Sequence, residues 1–179
     1  MGKKTKYDLT TLIRQNKKLF EALNSSNDLS CILIGASYLD ESLGALLHEF
    51  SIESSVTDKI IYDNSSILST LSSKTDITYV LGLVSKDNYN DLRKIAEIRN
   101  MVAHSHLSKD FSNEEVIASC GQLNYWKILQ SDNENEKDKL FSSNKPREMA
   151  KNKWKFTVAL LSQEILVNGQ CAHRRERKD

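Results

Sequence analysis

Apolar side chains recur every three or four residues through most of the chain, the spacing that places them on one face of an α-helix. The pattern predicts helices over residues 8–23, 27–50, 65–84, 86–103 and 148–168, and one that begins after Ser112 and ends near Gln130. Residues 51–64 are predicted to form a loop with a short turn. We find no internal repeat and no two-residue alternation of strand length. The sequence therefore predicts an all-α, single-domain bundle of about six helices spanning residues 1–179.

Polar and helix-breaking residues mark several ends of these helices. Gly82 is a candidate C-cap, and Ser85 is a candidate N-cap of the helix that follows. Residues 112–115, Ser-Asn-Glu-Glu, match a capping box with Ser112 as the cap. Residues 131–147 are polar and are predicted to be a surface insertion, and residues 169–179 are predicted to be a basic, flexible tail.

Composition supports the helical prediction. One proline and six glycines in 179 residues are far fewer than average usage would give, roughly 12% of a chain. Folds rich in tight turns, such as β-sandwiches, barrels and propellers, need more of both residues. A glycine-rich, phosphate-cradling loop is disfavoured for the same reason.

The charge distribution argues against general binding of duplex DNA. The net charge is +1, but the first six residues carry +3 and residues 169–179 carry +2, so the body between them carries −4. The best helix-turn-helix candidate, residues 76–98, places Asp87 and Asp91 where DNA phosphates would be met. Direct, sequence-specific DNA binding is therefore disfavoured.

Neither a metal site nor a membrane segment is indicated. Cys31, Cys120 and Cys171 are far apart and form no C-x-x-C pair, so neither zinc nor a disulfide framework is signalled. His48 is interpreted as a surface or rim histidine, and His173 lies in the basic tail. We expect no metal and no cofactor, no membrane association and a cytoplasmic location.

The end of helix 86–103 holds the residues best suited to chemistry: Arg99, Asn100 and His104. Arginine can hold a phosphate, histidine can exchange a proton near neutral pH, and asparagine can orient either one. These groups suffice to cleave RNA without a metal, because the ribose 2′-hydroxyl supplies the nucleophile. Arg99 and His104 are five residues apart, about 140° around a helix. His104 must therefore lie beyond the helix end, or a second copy must complete the site.

A structural role for these residues is the alternative. Arg99 could pair with Glu97 or another acidic group, and His104 could cap the last carbonyls of the helix. The spacing alone does not separate this hypothesis from the catalytic one.

Residues 71–111 resemble the core of the mannitol operon repressor family. The resemblance rests on a run from Tyr79 to Ser85 with Leu81 and Gly82, and on a helix that ends in Arg99-x4-His104. Residues 37–50 resemble the family's preceding helix, and the similarity extends over about 37–125. It implies an all-helical regulator that acts through other proteins.

The segment RNMVAH, residues 99–104, also resembles the R-x4–6-H motif of the HEPN superfamily. That resemblance implies a metal-independent endoribonuclease of the toxin or phage-defence type, active as a homodimer, with Arg99 and His104 catalytic and Asn100 supporting. Some HEPN toxins have a tyrosine two residues after the histidine, where this chain has His106.

Two functions are therefore expected. The leading hypothesis is a HEPN-like ribonuclease with RNA as substrate and an antitoxin as a possible partner. The alternative hypothesis is a non-enzymatic transcriptional regulator that resembles the mannitol operon repressor and acts through a regulatory protein partner.

Overall fold

The computed structural model of the protein describes residues 9–103, 109–124 and 145–172. Seven helices follow one another in these ranges: α1 (Leu9–Ser25), α2 (Asp28–Phe50), α3 (Ser55–Tyr62), α4 (Leu71–Val80), α5 (Lys86–Ala103), α6 (Glu114–Gly121) and α7 (Pro146–Cys171). The same ranges contain no strand. The helices enclose one hydrophobic core, which confirms the prediction of an all-α, single-domain fold.

Helix α2 is the centre of the bundle and packs against α1, α3, α4, α5 and α7. By length and composition alone it could span a membrane, but 61% of its most apolar 18-residue window is buried inside the protein. A helix at the centre of a bundle contacts other helices on most of its sides, so most of its surface must be apolar. We therefore assign α2 to the protein core.

Helix α7 closes the bundle against α2. The predicted stripe of Trp154, Val158, Leu161 and Ile165 is fully buried. A Cβ on Gly35 would lie 3.0 Å from Nε1 of Trp154, so glycine at this position allows the two helices to approach closely. The helix is longer than the predicted 148–168 at both ends, because it begins at a proline in the first helical position and continues to residue 171.

The segment predicted as a loop, residues 51–64, contains the extra helix α3. Ser54 caps it by accepting a hydrogen bond from the amide of Thr57 at 3.1 Å, and Ile61 anchors it in the core. The helix predicted over 65–84 begins only at residue 71, since Thr70 and Ser73 form a capping box there. Local capping thus divides a segment that periodicity alone treats as continuous.

The turn between α4 and α5 follows the prediction. Gly82 has a φ of +71°. The amide of Leu83 donates to the carbonyl of Thr78 and that of Gly82 to the carbonyl of Tyr79, both at 2.9 Å, the Schellman pattern of helix ends. Ser85 accepts a hydrogen bond from the amide of Asn88 at 3.2 Å and so caps α5.

Helix α6 differs from its prediction at both ends. Its N-cap is Asn113 rather than Ser112, and the Asn113 side chain accepts from the amides of Glu115 and Val116. The helix ends at residue 121 and does not run on towards Gln130, because the amide of Asn124 donates to the buried carboxylate of Asp91 on α5 at 2.7 Å. Residues 125–130 lie outside the described ranges, as do 131–144 of the predicted insertion and 173–179 of the predicted tail.

Candidate functional site

Arg99 and Asn100 lie exposed in the last part of α5, where the sequence places them. A guanidinium N–H of Arg99 donates to the side-chain oxygen of Asn100 at 3.0 Å. Both residues line a cleft of about 350 Å³ between α2, the start of α4, and α5, which we call the Arg99 cleft. Its other lining residues are Ala36, Ser37, Asp40, Ser69, Thr70, Leu71, Ser72 and Ala96.

Arg99 does not pair with Glu97, one of the acidic partners considered in the structural alternative. Glu97 instead pairs with Lys94, with 2.6 Å between its carboxylate oxygen and the Lys94 ammonium nitrogen. Within the described ranges Arg99 has its hydrogen bond to Asn100 and no ion pair. His104 and His106 lie outside these ranges, so the structure brings together two of the three predicted site residues.

A buried ion pair beside the Arg99 cleft was not predicted. Lys74 on α4 is 2% exposed. Its ammonium group donates to the Asp40 carboxylate at 2.8 Å and to the Asp40 carbonyl at 3.2 Å. The sequence could have indicated this pair. Lys74 shares a helix face with the buried residues Leu71 and Thr78, and a lysine on a buried face needs an acidic partner.

A shallower groove of about 560 Å³ adjoins the Arg99 cleft, and the two share Ser72 and Asn100. Its cationic side chains already have acidic partners. Arg93 pairs with Asp76 at 3.3 Å, and Lys94 pairs with Glu97. The positive charges in the groove are therefore neutralised by neighbouring carboxylates, whereas, among the described residues, the charge of Arg99 in the cleft is not.

A second surface of interest surrounds α3. Ile52, Val56 and Ile60 are 38%, 62% and 40% exposed, and they follow one another at intervals of four residues. We call these three residues the α3 surface. Residues 49–63 around it carry four carboxylates and one lysine, a net charge of −3.

His48, interpreted from the sequence as a surface or rim histidine, helps to hold this surface in place. It is 9% exposed, and its Nε2 lies 3.2 Å from the carboxylate of Asp58 on α3. Tyr62 adds a hydrogen bond of 3.5 Å from its hydroxyl to the carbonyl of Gly44. These contacts attach α3 to the central helix.

The two buried cysteines, Cys31 and Cys120, have raised pKa values, which does not favour a reactive thiolate. Cys31 and Cys120 are buried free thiols, and Cys171 is an exposed free thiol. Burial raises the pKa of the Cys120 thiol to about 12, which keeps it protonated at neutral pH. In the part of the chain that the structure describes, no group of three or more His, Cys, Asp or Glu residues could hold a metal ion.

The fold is shared with solved structures of regulator type. One is the crystal structure of a possible transcriptional regulator, YggD, from Shigella flexneri, with a TM-score of 0.64, 15% identity, and coverage of 84% of this chain and 97% of that one. Another is the X-ray structure of the MtlR–HPr complex from Escherichia coli, with a TM-score of 0.64, 17% identity, and coverage of 85% and 98%. At such identities these similarities show the fold alone.

The family is shown by the sequence itself. The model of the mannitol repressor family, MtlR, matches residues 15–166. The chain belongs to this family, which confirms the first resemblance drawn from the sequence. No curated protein matches the chain.

The family match favours a regulator over the leading hypothesis of a ribonuclease. The matching family model describes a mannitol repressor, and that description refers to regulation and not to RNA cleavage. The HEPN resemblance, the homodimer and the catalytic roles of Arg99, Asn100 and His104 remain predictions.

Proposed function

We propose that this protein is a cytoplasmic transcriptional regulator that acts by binding another protein, rather than by reading DNA or cleaving RNA. The observation that carries the proposal is the family match over residues 15–166, within one all-α domain. The negatively charged body of the chain agrees with it, because a protein that reads duplex DNA usually presents a basic face.

The partner that we propose is an HPr protein. A structural neighbour that matches 85% of this chain was solved as a complex with HPr, so an all-α domain of this shape can form such a complex. For this chain the proposal concerns the HPr of the same organism. It requires an accessible surface suited to a protein.

We propose the α3 surface as the place where HPr binds. Val56 is 62% exposed, Ile52 and Ile60 are 38% and 40% exposed, and exposed apolar side chains of this kind form the buried centre of protein interfaces. The surrounding net charge of −3 favours a partner surface in which basic residues surround apolar ones. The contact between His48 and Asp58 holds α3 before binding, which lowers the entropy cost of association.

Isothermal titration calorimetry with purified HPr tests this proposal. We expect saturable binding to the wild-type protein and a loss of at least about tenfold in affinity for Val56→Glu/Ile60→Glu, because two carboxylates would be desolvated in the interface. Val167→Glu is a matched control, since Val167 is 54% exposed on α7, a different helix.

The outcomes separate the site from the function. Binding that the double variant and the control retain equally would refute the α3 surface and leave the partner proposal standing. Absence of HPr binding to the folded wild-type protein would refute the proposed partner. Circular dichroism of each variant is the check that the helical fold is retained.

A further inference from the structure

We propose that the Arg99 cleft binds a small anion that carries a phosphate or carboxylate group, with Arg99 as its main charged contact. This site is separate from the α3 surface and does not depend on the proposed protein partner. It assigns the chain a small ligand in addition to a macromolecular one.

The charges at the Arg99 cleft leave one positive charge uncompensated. Asp40 lines the cleft, but its carboxylate is neutralised by the Lys74 ammonium at 2.8 Å. Arg99 has no acidic partner among the described residues. The Asn100 side chain accepts one of its N–H groups and fixes the guanidinium, and the remaining N–H groups can hold two oxygens of one anion in parallel.

Neutral donors complete the site. Ser37 and Ser72 line the cleft, and each has a hydroxyl group that can donate a hydrogen bond. The amides of Leu71 and Ser72 stand in the first turn of α4, where backbone N–H groups have no acceptor within the helix, and no acidic side chain occupies that turn. These neutral donors can form further hydrogen bonds to an anion that Arg99 attracts.

The size of the cleft limits the ligand. A volume of about 350 Å³ lies at the lower end of the range for small-molecule pockets. The adjoining groove has Arg93 and Lys94, but each already pairs with a carboxylate. The electrostatic attraction of a small anion to Arg99 is therefore stronger than its attraction to Arg93 or Lys94. We expect the anion to bind in the cleft and not in the groove.

Titration of the ¹⁵N-labelled protein with inorganic phosphate, and separately with citrate, at constant ionic strength tests the proposal. We expect saturable shifts at the amides of Leu71 and Ser72 with at least one of the two anions. The anion that saturates tells phosphate recognition from carboxylate recognition. Arg99→Ala is expected to weaken binding at least about tenfold, as loss of a bidentate charged contact should.

Arg14→Ala is the control, because Arg14 is an exposed arginine on α1 that does not line the cleft. It should bind the anion within about twofold of the wild-type protein, since it removes the same charge from outside the cleft. Absence of saturable shifts with both anions would overturn the proposal. Equal weakening by Arg14→Ala and Arg99→Ala would overturn it too, because the effect would then be one of net charge.

Discussion

Removal of the Asp40 carboxylate is expected to destabilise the protein far more than removal of the Asp76 carboxylate. The pair of Asp40 and Lys74 is 2.8 Å long and its lysine side chain is 2% exposed. At an effective dielectric constant of about 20, the attraction at that distance is about 6 kcal/mol before desolvation. Asp40→Ala leaves the ammonium buried without its counter-charge, which should lower the free energy of unfolding by about 3–5 kcal/mol.

The pair of Arg93 and Asp76 provides the comparison. Its side chains are 45% and 51% exposed and its atoms are 3.3 Å apart, so solvent screens the attraction. Asp76→Ala should therefore cost less than about 1 kcal/mol. Urea unfolding followed by circular dichroism measures both values, and the Asp40 variant should also melt roughly 6–20 °C lower.

A rescue experiment tests the physical reason. Lys74→Met in the Asp40→Ala background removes the buried charge and should restore most of the lost stability. The reasoning would be refuted by a cost below about 1 kcal/mol for Asp40→Ala. It would equally be refuted by a double variant that is no more stable than the single one.

Three further predictions concern Asp28, Gly82 and RNA. Burial alone would raise the pKa of Asp28, but hydrogen bonds from Lys151 and Arg147 outweigh it and lower the pKa below its usual 3.8. Asp28→Asn should therefore lower the free energy of unfolding, measured in urea at pH 7, by about 1–3 kcal/mol. The difference from wild type should shrink as the pH falls below about 4, because the wild-type carboxylate then becomes protonated. A difference that does not change with pH would contradict this. Gly82→Ala should lower the free energy of unfolding by about 1 kcal/mol, because a φ of +71° is unfavourable for alanine. The added Cβ itself meets no atom of the described residues within 4 Å, so the backbone angle is the only source of the loss. Unchanged stability would show that the turn relaxes. Labelled RNA incubated with the protein and EDTA should remain intact, and cleavage that Arg99→Ala and His104→Ala both abolish would instead establish the ribonuclease hypothesis.

The helices of the core could be predicted because their apolar residues repeat at helical spacing. Trp154, Val158 and Leu161 on α7 are buried as the pattern requires. The bounds of α4 could not be predicted in the same way. The capping box of Thr70 and Ser73 starts that helix six residues later than periodicity suggests, and such a choice depends on local hydrogen bonds.

The candidate sites could also be predicted only in part. The sequence places Arg99 and Asn100 near a helix end, but the Arg99 cleft also needs residues near Asp40 and Thr70, which only tertiary packing brings together. The ion pair of Asp40 and Lys74 joins residues 34 positions apart. The α3 surface was missed because eight residues give too short a pattern to separate a helix from a loop.

Hydrogen–deuterium exchange of the protein with and without HPr tests the central claim most directly. The account predicts slower exchange across residues 52–62 when HPr is added, with little change in α7 around Val167. Contradiction would come from a complex that protects another face and leaves α3 unchanged, or from exchange that HPr does not alter anywhere.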